Sequence, residues 1–158
     1  VHDGARATAA PRCRRFTVLA AVLICAFSSA AAPAPAESAS RFATLDGMKV
    51  HYESYGAGRD AVVFVHGWTC DLTFWKAQVP AFAAKTRTLA IDLPGHGRSD
   101  APRTTYSMDL FARAIDAVMR DAGVDRAVLV GHSMGTPVVR QFYRRYRRRR
   151  SPRRSTSP

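Results

Sequence analysis

The sequence predicts an α/β fold with a mostly parallel sheet, and three observations carry that reading. Short runs rich in apolar and β-branched residues recur at 61–65, 86–91 and 126–130. Between them lie stretches whose apolar residues fall at helical spacing. Each run then leads into a segment containing glycine, and that after 86–91 is dense in glycine and proline. Strands that alternate with helices pair in parallel through right-handed crossovers, with helices on both faces of the sheet.

The elements follow in chain order. "RFATLDGMKVHYESYGAG" reads as a β-hairpin, because Asp46-Gly47 is a strong two-residue turn signal between alternating segments. Val50, Tyr52 and Ser54 then share one face. "AVVFV", residues 61–65, has the continuous apolar character of a strand covered on both faces. Leu72 to Ala84 is expected to form one helix, with Phe74, Trp75, Val79 and Phe82 on its apolar stripe and Pro80 placed to shorten or kink it. "TRTLAI", residues 86–91, is the next strand, and "DLPGHGRSD", residues 92–100, a loop. Ser107 caps a helix over 108–122 whose apolar face holds Leu110, Ala114, Ile115, Val118 and Met119; Gly123 stops it. "RAVLV", residues 126–130, reads as a further buried strand. A last helix carries Met134, Val138, Val139, Phe142, Tyr143 and Tyr146 on one stripe, with Arg140, Arg144 and Arg145 outward.

The chemistry-bearing motif is Gly131-His132-Ser133-Met134-Gly135. G-x-S-x-G, placed between a buried strand and a helix, suits a sharp turn that lifts a serine hydroxyl clear of the sheet. Glycine at 131 and 135 admits neighbouring backbone, and the helix start aims free N–H groups at the reacting oxygen. His66-Gly67-Trp68 follows the 61–65 strand at its C-terminal end, where ligands bind in such sheets. There the backbone N–H of Trp68 can pair with that of Met134 around a carbonyl oxyanion. The side chain of His66 reads as loop packing.

Together "VVFVHGWTCDLTFW", "LAIDLPGHGRSD", "YSMDLFARAIDAVMRDAGV" and "AVLVGHSMG" resemble the α/β-hydrolase family, over about residues 42–146. The resemblance implies an α/β-hydrolase fold cut short after the nucleophile helix, so that the 126–130 strand, interior in the family, is expected to form an exposed edge. It implies Ser133 as nucleophile and the N–H groups of Trp68 and Met134 as oxyanion donors. His66, Gly67, Gly131, His132 and Gly135 support the motif. Serine at 133, rather than aspartate, resembles the esterase and lipase branch, not the epoxide hydrolases and haloalkane dehalogenases. The implied substrate is a small carboxylic ester or related acyl compound, with no metal and no cofactor. Asp92 resembles the family's strand-end aspartate. The triad acid and histidine are expected downstream of the serine, yet no Asp, Glu or His follows Ser133. His96 is a weak candidate base, and His132 should turn its ring away from the hydroxyl. The chain alone is therefore expected to be inactive, and a complementing chain is an alternative source of acid and base.

Charge separates the middle from the ends. The net charge is +12. Residues 1–36 hold four Arg against one Asp; in 37–139 eleven basic and eleven acidic residues cancel; 140–158 hold nine Arg and no acid. The neutral body argues against a specific nucleic-acid binder. Residues 1–36, with Arg12, Arg14 and Arg15 before "FTVLAAVLICAF" and Ala34-Pro35-Ala36 after it, read as a secretory signal peptide rather than a stable membrane span. Cleavage near Ala36 leaves Cys70 as the single cysteine of a secreted or periplasmic chain. "RRRRSPRRSTSP", residues 147–158, reads as an Arg-rich disordered tail, either the product of a shifted reading frame or a polyanion- and membrane-surface-binding arm.

Overall fold

The structure is a computed structural model that describes residues 38–146. The signal-peptide reading of 1–36 and the tail reading of 147–158 lie outside the described residues. Among the described residues, five strands form one sheet. β1 (Ser38–Leu45) and β2 (Met48–Tyr55) make the hairpin, and β3 (Asp60–Val65), β4 (Arg87–Ile91) and β5 (Arg126–Gly131) complete the order β1-β2-β4-β3-β5. β4, β3 and β5 run parallel, and β2 joins β4 antiparallel.

The hairpin forms as its turn chemistry requires. Asp46 at φ 50° and Gly47 at φ 82° provide the paired positive dihedrals of a type I′ turn, which brings Leu45 opposite Met48. In β3 the side chains alternate between two cores. Ala61, Val63 and Val65 enter the larger one beneath α2 (Met108–Asp121) and α3 (Gly135–Tyr146). Val62 and Phe64 enter a smaller one with Leu72, Trp75 and Val79 on the opposite face. A strand buried on both faces must be apolar throughout, which is why this segment reads as an unbroken run. Ser107 caps α2 by accepting the Leu110 N–H at 3.1 Å, and Gly123 at φ 66° ends the helical stretch.

Three local expectations are corrected. Residues 72–84 do not make one helix: Leu72–Trp75 is a 3₁₀ turn and α1 spans only Val79–Ala83. Asp71 accepts from the Thr73 N–H and starts the first turn, and Pro80 sits in the first turn of the second, where its missing N–H costs nothing. The stripe splits accordingly, with Trp75 and Val79 buried and Phe74 and Phe82 exposed. β5 is not buried throughout. It is the outer strand of the described sheet, and Val128 is 65% exposed on it. In α3, Val138 and Phe142 are buried, whereas Tyr143 points to solvent. Five residues from Val138 is about 140° around the helix, off the stripe.

Candidate active site

β5 stops at Gly131 and α3 starts at Gly135, so three residues reverse the chain. Ser133 sits among them at φ 51°, a left-handed conformation that costs a non-glycine residue on the order of 1–3 kcal/mol. Neighbouring bonds hold it there. His132 N–H donates to Val65 O at 3.0 Å, Gly135 N–H to His132 O at 2.7 Å, and Thr136 N–H to Ser133 O at 3.0 Å. Both glycines are forced by proximity. A Cβ on Gly131 would lie 2.6 Å from the Gly135 carbonyl, and a Cβ on Gly135 would lie 2.3 Å from Val65 O. The side chain of Ser133 is exposed and, among the described residues, has no hydrogen-bond partner.

The loop after β3 packs on this turn. A Cβ on Gly67 would stand 3.1 Å from both Ser133 Cβ and His132 Nδ1, a contact so tight that the neighbouring loop would have to give way by a few tenths of an ångström. His66, fully buried, braces the loop. Its Nε2 accepts the Leu93 N–H at 3.0 Å, which places the ring proton on Nδ1, bonded to Gly67 O at 2.7 Å. Burial holds its pKa below the ordinary histidine value, and the neighbouring His96 pushes the same way; the bond to Gly67 and the carboxylates of Asp92 and Asp71 oppose them. The ring is therefore a neutral brace between the ends of β3 and β4. Trp68 beyond it is 60% exposed. Among the described residues, neither Trp68 N–H nor Met134 N–H has a hydrogen-bond acceptor.

Asp92 organises the other side. Its carboxylate accepts from His51 Nδ1 at 2.7 Å, Leu72 N at 2.7 Å and Arg98 N at 2.9 Å, drawing together β2, the start of the 3₁₀ turn and the glycine-rich loop. Ser99 completes the join, donating to Asp92 O at 2.6 Å and accepting from His51 N at 2.8 Å. Gly97, at φ 52°, lies so close that a Cβ would fall 2.3 Å from the Asp92 carboxyl carbon. Sequence reasoning met Asp92 only through resemblance and did not single out His51, Arg98 or Ser99. The available signal was an acid at the end of a buried strand followed at once by a glycine-dense loop.

The two histidines weighed beside Ser133 are engaged elsewhere. The His132 ring stacks on Phe74 at 4.3 Å. His96 Nδ1 lies 3.1 Å from Pro94 O, and its ring packs among His66, Trp68 and Phe111. Among the described residues no cluster of three or more His, Cys, Asp or Glu could hold a metal ion. No described helix is long and apolar enough to cross a membrane.

Known proteins share this architecture. The family model described as alpha/beta hydrolase fold matches residues 60–154. A dihydrolipoyllysine-residue acetyltransferase component of an acetoin cleaving system, from Cupriavidus necator, is 36% identical over 107 residues, covering 68% of this chain and 29% of its own length. The solved structure of an N-acyl homoserine lactone degrading enzyme is 39% identical with a TM-score of 0.63, covering 65% of this chain and 39% of that one. An epoxide hydrolase from an endophytic Streptomyces is 32% identical with a TM-score of 0.65, covering 70% of this chain and 34% of that one. The chain thus spans between a quarter and two-fifths of the length of these proteins.

Proposed function

The chain belongs to the α/β-hydrolase fold family, and from that membership we propose that it carries the nucleophile half of a serine hydrolase site for carboxylic esters or related acyl compounds. The observation that carries the proposal is Ser133 itself, an exposed hydroxyl at φ 51° between two glycines that close packing requires. Ser133 Oγ attacks the acyl carbon, the N–H groups of Trp68 and Met134 bind the oxyanion, the ester C–O bond breaks to release the alcohol, and water then cleaves acyl-Ser133 to release the acid. Their lack of any other acceptor among the described residues supports the donor role. Each such donor stabilises the transition state by about 3 kcal/mol. Serine at 133 favours acyl transfer over epoxide opening, and the lactone-degrading relative acts on an acyl compound.

The serine proton needs an acceptor, and no Asp, Glu or His follows Ser133 in these 158 residues. In this proposal the base and acid come from a complementing segment, and the chain alone turns esters over no faster than its Ser133→Ala variant. The test is an ester assay on both proteins, alone and with a separately expressed C-terminal part of a relative that supplies acid and histidine. Turnover that appears only with the added segment, and is lost in Ser133→Ala, is the expected result. Ser133-dependent turnover by the chain alone would overturn the need for a complementing segment. A complemented protein indifferent to Ser133 would overturn the nucleophile.

A further inference from the structure

A second serine, distant in sequence from Ser133, already has a base and an acid in line. Ser40 Oγ on β1 lies 2.9 Å from His51 Nε2 on β2, and His51 Nδ1 lies 2.7 Å from Asp92 Oδ2 at the end of β4. Ser40 is exposed, whereas the side chains of His51 and Asp92 are 1% and 2% exposed. The carboxylate accepts from Nδ1–H and so fixes the tautomer that leaves the Nε2 lone pair facing the serine. Arg98 completes the group. Its Nη1 stands 3.0 Å from Ser40 Oγ and 3.3 Å from His51 Nε2, nearer the oxygen than the ring. Nη1 therefore bonds to both, with the shorter contact to Oγ, and the Nε2 lone pair is shared between the Arg98 N–H and the serine O–H. A cation bonded to Oγ favours its developing negative charge. Phe42 walls one side, with its ring 5.0 Å from the His51 ring and Arg98 over its face. Side-chain order of this kind, a hydroxyl on a base that is itself held by a buried acid, is what activates a serine for covalent chemistry.

We propose that Ser40 is a second nucleophilic hydroxyl, activated by His51, Asp92 and Arg98, that takes acyl groups from small activated esters. Ser40 Oγ bonds to the acyl carbon as its proton moves to His51 Nε2. The ester C–O bond then breaks, and the departing aryloxide or alkoxide takes that proton from Nε2, leaving acyl-Ser40 and one alcohol. Asp92 steadies the imidazolium between the two transfers. The reaction favours esters with a good leaving group, for which proton transfer from Nε2 is least demanding.

The experiment is acetylation of the full chain, in the Ser133→Ala background, by p-nitrophenyl acetate, with the modified residues read by peptide mass spectrometry. Ser38 is the internal control, an exposed serine two residues away on the same strand with no histidine partner among the described residues. Expected is at least about tenfold faster acetylation at Ser40 than at Ser38, a modest share of what a positioned general base supplies. His51→Asn keeps an N–H donor near Asp92 and removes Nε2, so it should erase the excess. Equal acetylation of Ser38 and Ser40, or an excess that survives His51→Asn, overturns the proposal. Neither outcome bears on Ser133, which is absent from the test protein.

Discussion

Two glycines separate the price of proximity from the price of backbone conformation. Gly135 has an ordinary dihedral but no room, since its Cβ would sit 2.3 Å from Val65 O. Gly123 has open space but stands at φ 66°. Gly135→Ala pushes on backbone that cannot swing aside, so we expect a loss of about 3 kcal/mol or more. Gly123→Ala meets only the left-handed penalty of about 1–2 kcal/mol. Urea unfolding of the two variants distinguishes these costs. His66 gives a pH dependence. Its folded pKa is depressed by burial, so the unfolded chain binds the proton more readily. Its contribution is complete above the ordinary histidine value of about 6.5 and is lost as pH falls through the depressed folded value. Denaturation midpoints measured from pH 7.5 down to 5 should fall, and fall less in His66→Gln, which lacks a titrating group. Residue identity was legible at this scale wherever one position imposes its own geometry, as at Asp46-Gly47 or 131–135. The Asp92 network was not, because its members come from three separate segments, and no local pattern marks which histidine will meet an acid 41 residues away.

At the scale of elements, α2 and the 72–84 region show what decides legibility. α2 has a cap, a long apolar face and a glycine stop that agree, so its ends follow from sequence. Ser107→Ala removes one cap bond and should cost about 1 kcal/mol, read as a lowered thermal midpoint with the sheet retained. In residues 72–84 an apolar stripe competes with two local instructions, the Asp71 cap and Pro80. The local instructions win, because the Leu72 N–H is claimed by Asp92 and the proline can only begin a helix. The strands were legible for a related reason. A parallel strand covered on both faces has to be apolar in unbroken sequence, and β3 is.

For the whole molecule, the order β1-β2-β4-β3-β5 leaves β5 outermost among the described strands, with Val128 in solvent. Exposed apolar edges recruit other chains. The full chain should therefore self-associate, and Val128→Lys should raise the monomer fraction in sedimentation without altering the circular dichroism of the sheet. That strand's sequence looks interior although its position is outer, so its exposure depends on what else pairs with it and not on its own residues. The family and the layer arrangement were legible from four motifs in order, and so was the open edge of β5, because the resemblance stops after the serine helix.

The three bonds gathered by the Asp92 carboxylate also carry a consequence for local opening. The Leu72 N–H, at the start of the 3₁₀ turn, and the Arg98 N–H, in a loop, belong to no sheet or helix ladder, and such amides ordinarily trade their hydrogens with water quickly. Here both amide hydrogens are held by one buried acid that is itself tied to β2. Releasing either requires loosening the end of the sheet. In deuterium exchange these two amides should persist alongside those of β4, far longer than the amide of Thr104 in the neighbouring loop. The segments that Asp92 ties to the sheet would then open on the clock of the protein's interior.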